Sequence, residues 1–533
     1  MEGNVTTMTA RARIICLSLF ALAAFACFSC KPKPVDLRKM IPADSLAFLQ
    51  TDDLADALNA VTDSKAFQQV VKSKPDFSAL QDIQLAVAVT GFETSEKQLT
   101  EENSILHFRP HFVAIAATHA WNWQARDFTE NKLGEFINNV YGGEVELESG
   151  DKNGGTYYTW TAKDGRKAFA FVQNSLIFFG NDESAIEKCL AVERGESDSI
   201  LKNRTFADAA ENSLASGFIS TDGVSQIANL IGVSTAMNAG ENEDVKGFIA
   251  QVIPPILRGA IKEVSWTAIK TEQGIEDRLT ITTDPQASSV FNETLVPVGS
   301  DSKELAEYVP AGAFSATRYD FKDAQIAWRS VLLVAQKYSD PLGGRIIGEF
   351  SGSLFEPYGI ANPELFLSGV ASNIVTAKID AEGEKPVVIA AIKDIEKVKK
   401  SLVAELKPQK DTPNTWKSDD GDLTAIIVDN VVIAGDSEAV AKALEAKQSG
   451  NNISKNEAYK SFNESKAVAT TIGRDAEIAG KIASVLAERK SDDAEAITVY
   501  LTETRFNQNG IERRTVSDFG LIGSIVEQFE DNQ

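Results

Sequence analysis

The sequence predicts an α+β protein built from two tandem homologous copies, each a mostly antiparallel sheet with helices packed on one face. Three observations predict it. Short sequence patterns recur in the same order along the two halves of a chain of 533 residues, too long for one compact core. Segments 156–160 and 167–172 alternate polar and apolar residues, the pattern of strands with one half-covered face. Small apolar runs are followed by amphipathic stretches of helical period, so each sheet has helices available to cover it.

The elements follow in order. Ile41-Pro42-Ala43-Asp44-Ser45-Leu46-Ala47-Phe48 matches Val309-Pro310-Ala311-Gly312-Ala313-Phe314-Ser315-Ala316. Each puts a short strand after Pro-Ala and an acidic helix start after the strand, at Asp52-Asp53 and at Asp320. The apolar runs 112–117 and 387–392 read as buried strands leading into helices over 126–140 and 395–406. Runs 176–180 and 431–435 end in Gly180 and Gly435, and helices over 182–192 and 436–447 follow, with Gly195 and Gly450 beyond them. Glycine lets the strand turn sharply, and the Asp behind it caps the helix. Segments 205–210 and 457–462 match as short helices. Finally, Gln273-Gly274-Ile275-Glu276-Asp277-Arg278 matches Asn509-Gly510-Ile511-Glu512-Arg513-Arg514. These are hairpin turns flanked by strands over 260–270 and 494–504. The domains read as a signal peptide over 1–30, a tether over 31–40, copy 1 over 41–283, a linker over 284–304 and copy 2 over 305–533.

The first thirty residues have the form of an export signal. Arg11 and Arg13 precede an unbroken apolar stretch, 14–28. That is shorter than the roughly 20 residues needed to span a bilayer. It ends in Ala26-Cys27-Phe28-Ser29-Cys30, which resembles the lipobox of bacterial lipoproteins, although Leu is absent three positions before either Cys and Phe stands two before both. Cys30 is the expected lipidation site, because Lys31-Pro32-Lys33-Pro34 follows as a stiff, solvated tether; Cys27 is the alternative. The expected location is the bacterial cell envelope, lipid-anchored and facing the periplasm or exterior. Three of the four cysteines (Cys16, Cys27, Cys30) lie in the leader, so Cys189 has no partner for an internal disulfide.

A second resemblance covers most of 42–519. Pro42-Ala43 near the start, Asn362-Pro363-Glu364-Leu365-Phe366-Leu367 before a strand, and Gly435-Asp436-Ser437-Glu438-Ala439 at a helix start resemble a bacterial family of unknown function. Its members are exported or membrane-tethered α+β proteins. The resemblance implies a location and a fold, and it carries no activity or site residues.

The formal charge of −23 argues against nucleic acid as a partner, since phosphates need a basic face. The expected partners are the membrane, through the N-terminal lipid, and another envelope protein. His107, His111 and His119 cluster in sequence, but Pro110 breaks any helix there, and a strand would spread their rings. Cys189 aligns with Ala443 and reads as a small buried apolar residue. Ser418-Asp419-Asp420-Gly421-Asp422 lacks the spacing of a calcium loop and reads as a hairpin turn. No phosphate-cradling glycine loop, nucleophile elbow or His-Glu-x-x-His motif is present. No catalytic residue, metal site or cofactor is expected. Segment 233–243 reads as a mobile loop, and Pro254-Pro255 as a helix break. Trp121-Asn122-Trp123 is the candidate binding feature, because adjacent Trp residues serve as interface anchors; the competing reading is a helix-entry staple with a core Trp. The functional expectation is a non-catalytic envelope lipoprotein with a binding or scaffolding role. The alternatives are a carrier of an apolar ligand, or an exported hydrolase with a dispersed carboxylate site.

Overall fold

The computed structural model describes residues 35–98, 104–203, 213–238, 243–299, 303–455, 459–491 and 494–530. Cys27, Cys30, segment 205–210 and the start of 457–462 lie outside these residues, as does the side chain of His107.

The first half contributes strands β1 (Ala47–Thr51), β2 (Gln84–Gln98), β3 (Ser104–Ala117), β4 (Glu146–Lys152), β5 (Gly155–Thr161), β6 (Lys167–Gln173), β7 (Leu176–Gly180), β8 (Ser213–Ile219), β9 (Ile261–Thr271) and β10 (Gly274–Thr283). The second contributes β11 (Ser315–Asp320), β12 (Val370–Lys378), β13 (Pro386–Ile392), β14 (Lys407–Pro408), β15 (Thr415–Lys417), β16 (Leu423–Val428), β17 (Val431–Asp436), β18 (Ala469–Asp475), β19 (Thr498–Asn507) and β20 (Gly510–Ser517). All twenty join one antiparallel sheet. From its outer edge the first half runs β4-β5-β6-β7-β3-β2-β1-β8-β9-β10. β10 then pairs with β20, and the second half runs outward as β20-β19-β18-β11-β12-β13-β17-β16-β15-β14. The order of the second half, read from its own outer edge inward, is that of the first.

The seam has a specific register. Arg278 stands opposite Arg514, Ile275 opposite Ser517, and Ile281 opposite Ile511. Residues that match in sequence therefore sit symmetrically about the Arg278–Arg514 pair, the arrangement of an isologous interface. Two like charges directly opposite on one sheet face are unfavourable. Glu276 offsets this: its carboxylate accepts from Arg278 Nε at 2.6 Å and from Arg514 Nη2 at 2.5 Å. Glu503 takes Arg505 Nη2 at 3.0 Å and faces Arg514 Nη1 at 3.5 Å.

Packing crosses the seam as well. The helices Leu54–Thr62 and Lys65–Val70 share a core with Ile478–Leu486 and Gly520–Glu527 of the second half, through Val61, Phe67, Ile482, Phe519 and Ile522. Lys72 N donates to Glu488 O at 2.9 Å, and Lys490 N to Val70 O at 2.8 Å. Across the symmetry point, Phe291 packs edge-on to Phe506 at 5.5 Å, and Tyr338 donates to Asp284 at 2.5 Å.

The expectation of helices on one face needs correction. On β6, Phe171 packs with Ile186, Cys189 and Leu190 of the helix Glu183–Glu193, whereas Ala168, Ala170 and Val172 pack with Ala125 and Ile137 on the opposite face. Both faces of β6 are covered, so its apolar residues run on without strict alternation. Segment 233–243 is also different from expectation. Helices Thr221–Asn238 and Glu243–Ala260 occupy its two ends, and Pro254 and Pro255 lie inside the second. Packing of that helix on Ala324–Tyr338 and Pro341–Ser353 outweighs the local cost of proline. The stretch 284–304 contains a helix, Pro285–Thr294, capped by Asp284. From Val35 onward the N-terminal segment is docked. Val35 N donates to Gln84 Oε1 at 2.8 Å, Gln84 Nε2 returns a bond to Val35 O at 3.0 Å, and Leu37 and Met40 are buried.

Burial alone would raise the Glu276 carboxyl, but the Arg514 and Arg278 guanidiniums outweigh it and hold it below the usual carboxylate range. A carboxyl lowered on folding contributes stability that is complete above its unfolded value and lost as pH falls through the folded one. Glu276→Gln is therefore expected to lower stability at pH 7 by about 1–3 kcal/mol. The gap to wild type should shrink as pH falls below about 4. Urea midpoints across pH read both effects, and a pH-independent gap would contradict the role of the charge.

Candidate functional site

Trp121 and Trp123 are both exposed at the surface, at the start of one helix. Trp121 precedes the helix Asn122–Asp127, which continues through a π-helical turn, Phe128–Leu133, into Gly134–Val140. Trp121 N donates to Gln124 Oε1 at 2.9 Å, which fixes the helix entry. The buried side of this helix is supplied by Ala125, Thr129 and Ile137, over the stacked Tyr158 and Trp160 rings. Neither sequence-singled Trp takes part: Trp121 is 66% exposed and Trp123 65%. The core Trp of this region is Trp160, and the staple reading fails. The approach to the pair is tied down. Thr118 N and Oγ1 both donate to Ser175 O at 2.9 Å, and His119 Nε2 bonds Asp82 O at 2.7 Å.

A cleft of about 350 Å³ opens at the seam, lined by Trp266, Asp277, Asp475, Tyr500, Arg513 and Asp518 among others. Residues from both halves form it. Burial pushes the Asp277 carboxyl up, against hydrogen bonds from Trp266 Nε1 and Leu521 N, each at 2.8 Å. Burial also raises Asp518, opposed by the Val499 N–H. Raised carboxyls in a cleft are the groups acid–base catalysis uses. Here both oxygens of Asp277 are taken by donors that join β10 to β9 and to the helix Gly520–Glu527, so its geometry is that of a tie between halves. Asp475 accepts from Glu477 N at 2.8 Å and Ile478 N at 2.9 Å, at the start of another helix.

The remaining candidates are accounted for individually. Cys189 is fully buried under the sheet, and burial pushes its thiol up to about 12. A thiol so placed is a poor nucleophile. His111 lies 3.7 Å from both Glu93 and Asp182, while His119 is engaged with Asp82 O. Among the described residues, no group of three or more His, Cys, Asp and Glu is placed to hold a metal ion. Ser418–Asp422 is the turn between β15 and β16, with Asp420 Oδ1 accepting from Ser418 Oγ at 2.5 Å and Asp422 N at 3.0 Å. Sequence reasoning missed the seam cleft. The signal was the pair of Gly-Ile-Glu hairpin motifs, whose second strands turn out to pair with each other.

No family model, curated protein or solved structure matches the chain. Among the described residues, no helix is long and apolar enough to cross a membrane.

Asp277→Asn should lower stability by about 1–3 kcal/mol, because an amide presents a donor to one of two buried donors. Denaturant midpoints test this. A stability gain would instead mark Asp277 as a strained functional group. Native Cys189 should resist alkylation and react only on unfolding, a contrast that mass spectrometry reads.

Proposed function

We propose that this protein is a non-catalytic, lipid-anchored scaffold of the bacterial cell envelope, made of two copies of one unit joined across the β10–β20 seam. It faces the periplasm or exterior and acts by binding, through the surface at Trp121 and Trp123. The observation that carries the binding role is this exposed Trp pair on a rigid helix entry. Two adjacent indoles in water are unusual unless something covers them, and Trp is the residue most enriched at binding hot spots. The engagement of Asp277 and the burial of Cys189 support the non-catalytic part. The matched strand order and the symmetric register at Arg278–Arg514 support the two copies.

The seam cleft favours a second reading, a hydrolase with a dispersed carboxylate site at Asp277 and Asp518. The Asp277→Asn stability measurement separates the two, since a structural tie loses stability and a strained catalytic acid gains it.

The anchor has its own test. Cys30→Ala should abolish metabolic labelling by fatty acid and release the protein into the soluble fraction. Labelling that persists and depends on Cys27 would move the site. Absence of label on the native chain would remove the anchor from the account.

A further inference from the structure

We infer that Trp121 and Trp123 seat in the lipid–water interface of the membrane that holds the tether, and so fix the orientation of the body on the bilayer. This rests on the lipid-anchor reading and assigns the partner of the Trp surface.

The argument begins at the point where the described chain starts. Val35 is held by two hydrogen bonds to Gln84. Gln84 pairs with Ala117 across β2 and β3, so their Cα atoms are about 5 Å apart. Two residues before Gln84, Asp82 O binds His119, and Trp121 follows His119 by two residues. With about 6 Å more for the Val35–Gln84 side-chain link, and at no more than about 3.5 Å per residue from Ala117 to Trp121, Trp121 lies within roughly 25 Å of Val35. The place where the chain leaves the body and the exposed Trp pair thus share one corner of the fold.

The tether sets the second distance. Cys30 precedes Val35 by five residues, so at no more than about 3.5 Å per residue the two are separated by at most roughly 18 Å. A lipid on Cys30 places its acyl chains in the hydrocarbon, so Val35 and its corner must lie close to the headgroups. Indole has an apolar body and an N–H donor, and it prefers that layer. Val35 is itself exposed and adds apolar surface there. The basic groups nearby are balanced: Arg38 pairs with Asp36 at 2.7 Å, and Arg126 faces Asp151 at 3.7 Å. Asp52, Asp53 and Asp82 also lie beside Gln84, so this corner is acidic like the rest of the body, and it fits a zwitterionic lipid surface, which carries no net charge to repel it.

The experiment uses the full lipidated chain in vesicles of phosphatidylethanolamine and phosphatidylcholine carrying spin-labelled phosphatidylcholine. Intact mass first establishes the acyl group. Of six Trp, Trp160 and Trp266 are buried, so the difference between wild type and Trp121→Ala/Trp123→Ala isolates the surface pair. Spin-labelled lipid should quench wild-type emission, and at least half of that quenching should vanish in the double variant, with circular dichroism unchanged. Iodide should quench the pair less in vesicles than in detergent-free soluble Cys30→Ala protein. If the chain is acylated but the pair is equally open to iodide in both states, the inference fails and the anchor stands. If the pair is shielded only in native membranes, a protein covers it and the inference fails. If intact mass finds no lipid, the anchor fails and this placement fails with it.

Discussion

The Glu276 carboxylate, shared between Arg278 and Arg514, is the contact on which the architecture depends. It lets two arginines stand opposite each other where β10 meets β20, and so lets two edge strands become interior ones. An unpaired edge of that length would invite aggregation. Pairing the two edges with each other removes both. The helices follow from this choice, because each half then presents apolar helical surface to the other: Phe67 meets Ile482, and Phe291 meets Phe506.

Much of this was legible in the sequence, and the losses have physical causes. The runs ending at Gly180 and Gly435 were readable because strand, glycine and Asp cap fall within a few residues. Asp182 and Asp436 each accept from the third residue of their helix, Ala185 and Ala439. The hairpins at Gly274 and Gly510 were readable for the same local reason. The pairing of their second strands was not, because register across such a separation leaves no local pattern. The helix through Pro254 and Pro255 was hidden because tertiary packing overrode a local breaker. The two-sided covering of β6 was hidden because a run such as Lys167-Ala168-Phe169-Ala170-Phe171-Val172 reads equally as one-sided alternation.

The functional surface shows the same division. Trp121 and Trp123 stood out in the sequence, but only burial distinguishes an exposed pair from a core Trp, and Trp160 fills the core role here. The seam cleft, built from Asp277 of one half and Asp518 of the other, exists only after folding. Its carboxyls are raised by burial, and at Asp277 the donors explain the burial. The buried polar groups of the seam hold the halves together, while the indoles of Trp121 and Trp123 face outward.

The central claim is that the seam makes one cooperative body of the two halves. Differential scanning calorimetry of the whole chain tests it most directly, through the ratio of van't Hoff to calorimetric enthalpy. The account predicts a single transition with a ratio near one. Two resolved transitions, each carrying about half of the enthalpy, would contradict it and leave the seam a contact between independent domains.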